Sequence, residues 1–348
     1  MKRWMVAAIA ALAIVGGLLV VPGSAQAKSS AWYQFYQANT RGTFNQTAAL
    51  SQNDIWSVGW NYTAAGKDID TPFIRHYDGS SWKTVTIPGK PLFSADWVSA
   101  SSGKNVWVGG QKVGAKERDT VVYRWNGTRW SKIPLPASVE LRYVKVLSPT
   151  DVWASVGSGY VPYVMLRWTG KKWTHYLDDT MNFVPQGLSA SGPKNVWISG
   201  IKWSGKKQLV AAYRWNGKAW HPVTMPHPVS YAGPSVTAMS ASNVWIGWES
   251  PGSLRALHWD GHRWHAMTVP NYGNIFFDIV ADGKGGYWFG PDATLTKKNF
   301  WVLRSEPEFS GGIGGVTRIP GTTSLLVNAG AAMGDDTVER PTLFRFDL

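Results

Sequence analysis

The sequence predicts an all-β protein, a seven-bladed β-propeller of four-stranded blades whose ring is closed by the N-terminal strand. Three observations carry this. A unit of about 45 residues, the length of one propeller blade, recurs along the chain. Each of the first five copies contains a short turn flanked by aromatic residues, and no window after the first 27 residues shows sustained helical periodicity. The two chain ends each supply half of one further hairpin.

Residues 1–27 read as a secretory signal peptide. Lys2 and Arg3 form a positive start, residues 5–21 are apolar, and Ala25-Gln26-Ala27 is a small-residue cleavage site before Lys28. The alternative is an uncleaved anchor, because the apolar run approaches spanning length. Pro22-Gly23 and the cleavage triplet favour removal. The expectation is an extracellular protein with one domain, residues 28–348, and no membrane span after cleavage. The chain has no Cys, so disulfides, thiolate zinc sites, iron–sulfur clusters and lipoprotein anchoring are excluded.

The first half of the repeat reads SQNDIWSVG, SSGKNVWVGG, SPTDVWASVG, SASGPKNVWISG, SASNVWIGW and ADGKGGYWFG. Its anchors are Trp56, Trp107, Trp153, Trp197, Trp245 and Trp288, spaced by 51, 46, 44, 48 and 43 residues. Asp or Asn before the anchor, with Ser and Gly upstream, marks a short turn. The second half reads RHYDGSSWKTVTIP, YRWNGTRWSKIPLP, LRWTGKKWTHY, YRWNGKAWHPVTMP and LHWDGHRWHAMTVP, placing Trp82, Trp130, Trp173, Trp220 and Trp264 at one position. Asn-Gly and Asp-Gly predict tight hairpins with positive φ at both turn residues. A sixth, degenerate hairpin is read at VLRSEPEF, ending at Phe309.

The terminal TLFRFDL matches a third strand without a partner, and SAWYQFYQ, with Trp32 in the hairpin position, matches the missing fourth. Together they predict a seventh blade whose first half runs from Arg318 to Gly330. Closing a ring in this way leaves no free sheet edge.

At this level the repeat resembles kelch and galactose-oxidase-like propellers. Six residues separate Tyr123 from Trp130 and Tyr213 from Trp220, as in kelch, and Gly109-Gly110 matches the kelch double glycine. The Asp78-Gly79-Ser80-Ser81-Trp82 hairpin is similar to a shortened Asp-box of sialidase-like propellers. The resemblance implies blades and names no ligand. The copper chemistry of galactose oxidase needs a cysteine-linked tyrosine, which this chain cannot make. Arg318-Ile319-Pro320 matches the sialidase Arg-Ile-Pro motif but falls in the last blade, where it reads as a strand ending at a Pro-Gly turn.

The seven His do not converge as metal ligands. His76 and His258 fall in hairpin strands, His175, His221 and His265 in outer strands, and His262 in a turn, which leaves His227 in a loop. Asp178-Asp179 and Asp335-Asp336 read as solvated turns. The expectation is no metal and no cofactor.

The anchor Trp residues, the five hairpin Trp residues, Trp32, Trp125, Trp168, Trp215 and Trp259 recur at fixed strand positions and read as framework. Trp97 and Trp301 also fit strands. Trp60, Trp203 and Trp248 instead follow the second strand, where the copies vary in length. Tyr62, Tyr160 and Tyr163 belong to the same connections, and Tyr231 and Tyr272 to interblade loops on that face. These eight aromatics are the candidate ligand-binding residues, because rings on variable loops can stack on sugars. Lys67, Lys112, Lys116, Arg118, Lys202, Lys206 and Lys207 share the face and suit an anionic polymer, as does the formal charge of +13.

The leading function is therefore a secreted, non-catalytic, lectin-like module binding carbohydrate or an anionic cell-wall polymer as a monomer. Nucleic acid is not expected for an exported chain. The alternatives are a propeller glycoside hydrolase or lyase, with Asp96 and Asp278 as candidate funnel carboxylates, and a scaffold for a secreted protein partner.

Overall fold

The computed structural model describes residues 32–63, 68–114, 119–136, 139–157, 164–177, 183–226, 233–250, 253–270, 278–291, 293–303, 313–332 and 338–347. These form seven separate antiparallel sheets of four strands. Blade one consists of Arg41–Ser51, Asp54–Tyr62, Asp68–Tyr77 and Trp82–Thr84, counted outward from the ring centre. Blades two to six occupy residues 97–133, 141–177, 183–222, 235–269 and 279–303. The first strands of successive blades adjoin one another, and that of blade seven returns to blade one. The expected all-β ring is the observed architecture.

Blade seven takes Ile313–Arg318, Ser324–Ala331 and Arg340–Asp347 from the C-terminal end and Trp32–Gln37 from the other end. Trp32 pairs with Phe346 and Gln37 with Thr342. The Tyr33 hydroxyl donates to Asp347 Oδ2 at 2.9 Å, and Trp32 stands edge-on to Trp288 of blade six at 6.0 Å. The seam thus joins the termini through main chain, side chains and packing together.

Two boundaries differ from the sequence reading. The first strand of blade seven ends at Arg318 instead of beginning there. Arg318 donates from Nε and Nη2 to the carbonyl of Thr322, so the Arg-Ile-Pro segment braces its own Pro-Gly turn. The sixth hairpin is Ala293–Leu295 with Trp301–Leu303, not VLRSEPEF. Its turn lacks glycine and uses Asn299 at φ 61°, which hid it. Residues 304–312 lie outside the described set.

The tight hairpins also close differently. Gly79, Gly127, Gly217 and Gly261 take φ between 94° and 101°, while the preceding Asp or Asn does not have positive φ. That residue's side chain caps the turn instead. Asp78 Oδ1 accepts from the amides of Ser80 and Ser81, and Asn126 Oδ1 from those of Thr128 and Arg129. This is the local side-chain bonding that favours Asp and Asn at turns.

All six anchor Trp residues are buried between blades. In blades one to five the Asp or Asn two residues earlier lies on the same strand face, because side chains alternate with period two. Trp56, Trp107 and Trp197 donate their indole N–H to Asp54, Asn105 and Asn195 at 2.9, 3.1 and 2.9 Å. A third-strand side chain shares the same oxygen: His76 reaches Asp54 at 2.9 Å, and Arg124 reaches Asn105 at 2.8 Å. In blade three, Arg167 instead takes both oxygens of Asp151 and lies over the Trp153 ring. The hydrogen bond to Asp151, helped by its charge, holds the guanidinium above its ordinary pKa against burial.

Candidate ligand-binding face

Topology divides the ring into two faces. Connections between first and second strands, and between third and fourth, share one face. Connections between second and third strands, and between blades, share the other. The second face carries the longer connections, and the second-strand ends that bear Trp60, Tyr62, Trp203 and Trp248 point to it.

Trp60 and Tyr62 are in the second strand of blade one, which extends further than the sequence reading placed it. The ladder with the third strand breaks between Gly59 and Asn61, leaving Trp60 without a partner there. Pro72 in that third strand cannot donate a ladder hydrogen bond. Such irregularities re-aim a side chain. The Trp60 ring is 40% exposed, and its Nε1 donates to Asn45 Oδ1 at 3.1 Å. Asn45 is the extra residue of a first-strand bulge and itself donates to the carbonyl of Ala95 in blade two. Tyr62 meets Trp60 edge-on at 6.3 Å.

Charges of both signs surround this aromatic pair. Burial, then the carboxylate of Glu339, push the Tyr62 hydroxyl pKa up, while Arg41 opposes them. On the same strand ends, Asn61 Oδ1 and Thr40 Oγ1 are buried without a hydrogen-bond partner among the described residues. Buried polar atoms are rarely left so. The corner therefore offers a fixed ring face, an edge-on phenol, an acid and a base.

Trp203 is near the end of the second strand of blade four, 37% exposed, with Lys202, Lys206 and Lys207 exposed around it. Two blades lie between it and Trp60, so the two do not form one site. Trp248 departs from the expectation. It is 3% exposed and packs with Trp197, Val210 and Ala212 of the preceding blade. The reason is parity: Trp60 and Trp203 follow their anchors by four and six residues, Trp248 by three, which turns it to the opposite blade face. Tyr160, Tyr163, Tyr231 and Tyr272 lie outside the described residues, as do Lys67, Lys116 and Arg118.

The funnel carboxylates have local partners. Asp278 accepts from the amide of Val316 in blade seven at 2.8 Å, and burial pushes its carboxyl pKa up. Asp96 accepts from the amide of Gln111, and burial raises it too, with a smaller push from the charge of Glu140. Sequence reasoning offered Asp96 and Asp278 as separate candidates, with nothing to bring them together. The neighbour whose charge Asp96 feels is Glu140, at the entry to blade three. In the first strand of blade three, burial pushes the Lys145 ammonium pKa down. Among the described residues, no group of three or more His, Asp or Glu is placed to hold a metal. His76 and His258 instead stack on Trp56 and Trp245 at 4.0 and 4.3 Å.

No protein-family model and no curated protein matches the chain. Solved structures do. YCF48 bound to D1 peptide is similar at 15% identity and TM-score 0.57, over 91% of this chain and 95% of that one. The SapL1 lectin in complex with alpha methyl fucoside is similar at 12% identity and TM-score 0.48, over 84% and 90%. The GH74 xyloglucanase from Xanthomonas campestris is similar at 10% identity and TM-score 0.44, over 89% and 63%. At 15% identity the likeness to YCF48 shows the propeller fold and nothing finer.

Proposed function

We propose that this chain is a secreted, non-catalytic binding propeller of lectin type that takes carbohydrate on the long-connection face, at the corner of Trp60 and Tyr62. The observation that carries the reading is the exposed Trp60 ring, held by its hydrogen bond to Asn45 and met edge-on by Tyr62. A sugar has an apolar face to stack on indole and hydroxyls to meet nearby charges. Stacking of one ring adds about 0.5–1.5 kcal/mol beyond its buried area. Propellers of the same fold include a lectin with a bound fucoside, which is compatible with this use of the face.

A glycan and cell-wall polymer binding screen with the chain from Lys28 onward tests it. A saccharide hit that Trp60→Ala weakens several-fold, without lowering the melting temperature, supports the reading. Retention of that hit in high salt identifies a neutral sugar held by stacking, and its loss identifies an anionic polymer. A stoichiometric protein or peptide ligand with no glycan hit would instead make the chain a scaffold.

A second reading, a glycoside hydrolase or lyase, rests on Asp96. Its raised pKa and the neighbouring charge of Glu140 suit a general acid beside a carboxylate. Turnover of a polysaccharide that Asp96→Asn abolishes while leaving binding intact would establish it.

A further inference from the structure

The face opposite the proposed sugar corner has its own chemistry. Its connections are short and even. First and second strands are joined by two residues in blades one to five, and third and fourth strands by four. In those five blades the rim is correspondingly level.

Its charge is one-sided. Six carboxylates lie in or beside these turns, and each is bonded within its own blade. Asp54 serves Trp56 and His76, and Asp151 serves Arg167. Asp78, Asp260 and Asp282 cap their turns, the first two also meeting Lys83 and His265. Asp347 meets Tyr33, Ser324 and Arg345. These bonds hold Asp78 and Asp260 well below the ordinary carboxyl range, so both stay charged and occupied.

The cations are not so engaged. Each of blades two to six presents at least one exposed lysine or arginine in its turns, including Lys104, Lys171, Lys194, Arg263 and Lys297. None of these five has an ion-pair partner among the described residues. The other face mixes signs, with Asp96, Asp119, Glu140, Glu249 and Glu339 among its lysines.

Three turns depart from this pattern: the first-to-second connections of blades six and seven, with five residues each, and the sixth hairpin. The sixth hairpin is one residue longer and carries Phe300, 66% exposed, directly after Lys297, Lys298 and Asn299. Val302 and Leu303, on the strand that follows, are 37% and 43% exposed. An apolar knob set in a level cationic face is the chemistry of a peripheral membrane contact, with lysines among anionic headgroups and the aromatic at the acyl boundary. A soluble polyanion would use the lysines and leave Phe300, Val302 and Leu303 without a role.

We propose that the short-turn face docks the propeller on an anionic lipid surface, with Phe300 entering the headgroup region. This would leave the sugar corner facing away from the bilayer. It stands independently of the carbohydrate reading, since it uses none of those residues.

Vesicle co-sedimentation tests it, using the chain from Lys28 onward. Phosphatidylcholine vesicles with about a third phosphatidylglycerol should carry the protein into the pellet at low salt, and pure phosphatidylcholine should not. Changing Lys171, Lys172, Lys297 and Lys298 together to Gln should weaken partitioning at least about tenfold, because each lysine near the surface contributes separately. Phe300→Ser should weaken it several-fold with the charge unchanged. Changing Lys202, Lys206 and Lys207 to Gln on the other face should leave it as it was. Should the quadruple variant melt early, Phe300→Ser alone decides, being one exposed side chain. Equal binding to both vesicle types, equal loss in the opposite-face variant, or no effect of Phe300→Ser would overturn the proposal. So would capture of soluble polyphosphate by a protein that ignores anionic vesicles.

Discussion

Gln46, in the first strand of blade one, accepts a hydrogen bond through Oε1 from the main-chain N–H of Val98, in the first strand of blade two, at 2.9 Å. The first strand of a propeller blade is an edge, and its outward amides have no strand to pair with. Here neighbouring blades supply side chains instead. Ser99 accepts from Val146, Ser189 from Ala238, and Asp278 from Val316, each across one blade junction. At the last junction the direction reverses, and Thr317 donates to the carbonyl of Thr47.

Gln46→Ala should therefore cost about 1 kcal/mol, the net worth of one such bond. Gln46→Glu, which keeps an acceptor, should cost less. Urea unfolding of the two variants at neutral pH provides the comparison, and equal losses would show that the seam bond contributes nothing.

Asp278 spans a similar junction at an electrostatic cost. Its folded pKa is raised above 3.8, so the folded state favours the neutral carboxyl, and stability falls as pH rises through the folded value. Asp278→Asn keeps an oxygen for Val316 and removes the buried charge. The variant should melt above the parent near neutral pH, and the gain should vanish near about pH 3, below the free carboxyl value. A gain that stayed constant across this range would contradict the desolvation account.

Trp107 and Trp60 are the same residue type in opposite roles. Trp107 is fully buried against Trp168 and Trp173, so Trp107→Ala should cost about 3–5 kcal/mol of stability. Trp60→Ala should change stability by less than about 1 kcal/mol, as expected for an exposed ring with one hydrogen bond. Thermal melts of both variants make the comparison directly.

Deleting residues 28–40 should remove the outer strand of blade seven and expose the edge of Arg340–Asp347. It would also strip Tyr36 from Trp82, on which it stacks at 4.7 Å. The truncated chain should melt far below the parent or aggregate through the new edge. Differential scanning calorimetry with light scattering would detect either outcome, and an unchanged melt would mean the closure is dispensable.

Much of this was legible because repetition is a strong signal. The anchors fixed the blade count, and the half-hairpins around Trp32 and Phe346 fixed the seam. What escaped was chemistry hidden in spacing. The Asp or Asn before each anchor reads as a turn residue, yet an offset of two places Asn105 or Asn195 beside the indole N–H it binds. Parity would have separated Trp248 from Trp60 and Trp203 had it been counted from the anchor. The sixth hairpin was missed because Asn299 replaces glycine at its left-handed position. Asn61 and Thr40 left no signal, since nothing in a sequence marks a polar atom that will be buried unpaired. Nor did any pattern bring Glu140 to Asp96, because irregular loops set that approach.

The bond from Tyr33 to Asp347 spans 314 positions. Synthesis proceeds from one end, so the strand at Trp32–Gln37 must wait for nearly the whole chain before its partner exists. Blades one to six can assemble in turn from local hairpins, but the seventh forms only when Arg340–Asp347 arrives. Such long-range pairing is what slows folding, and the intermediate in the interval exposes an unpaired strand at each end. For this chain, the last event of folding and the completion of the ring are the same event.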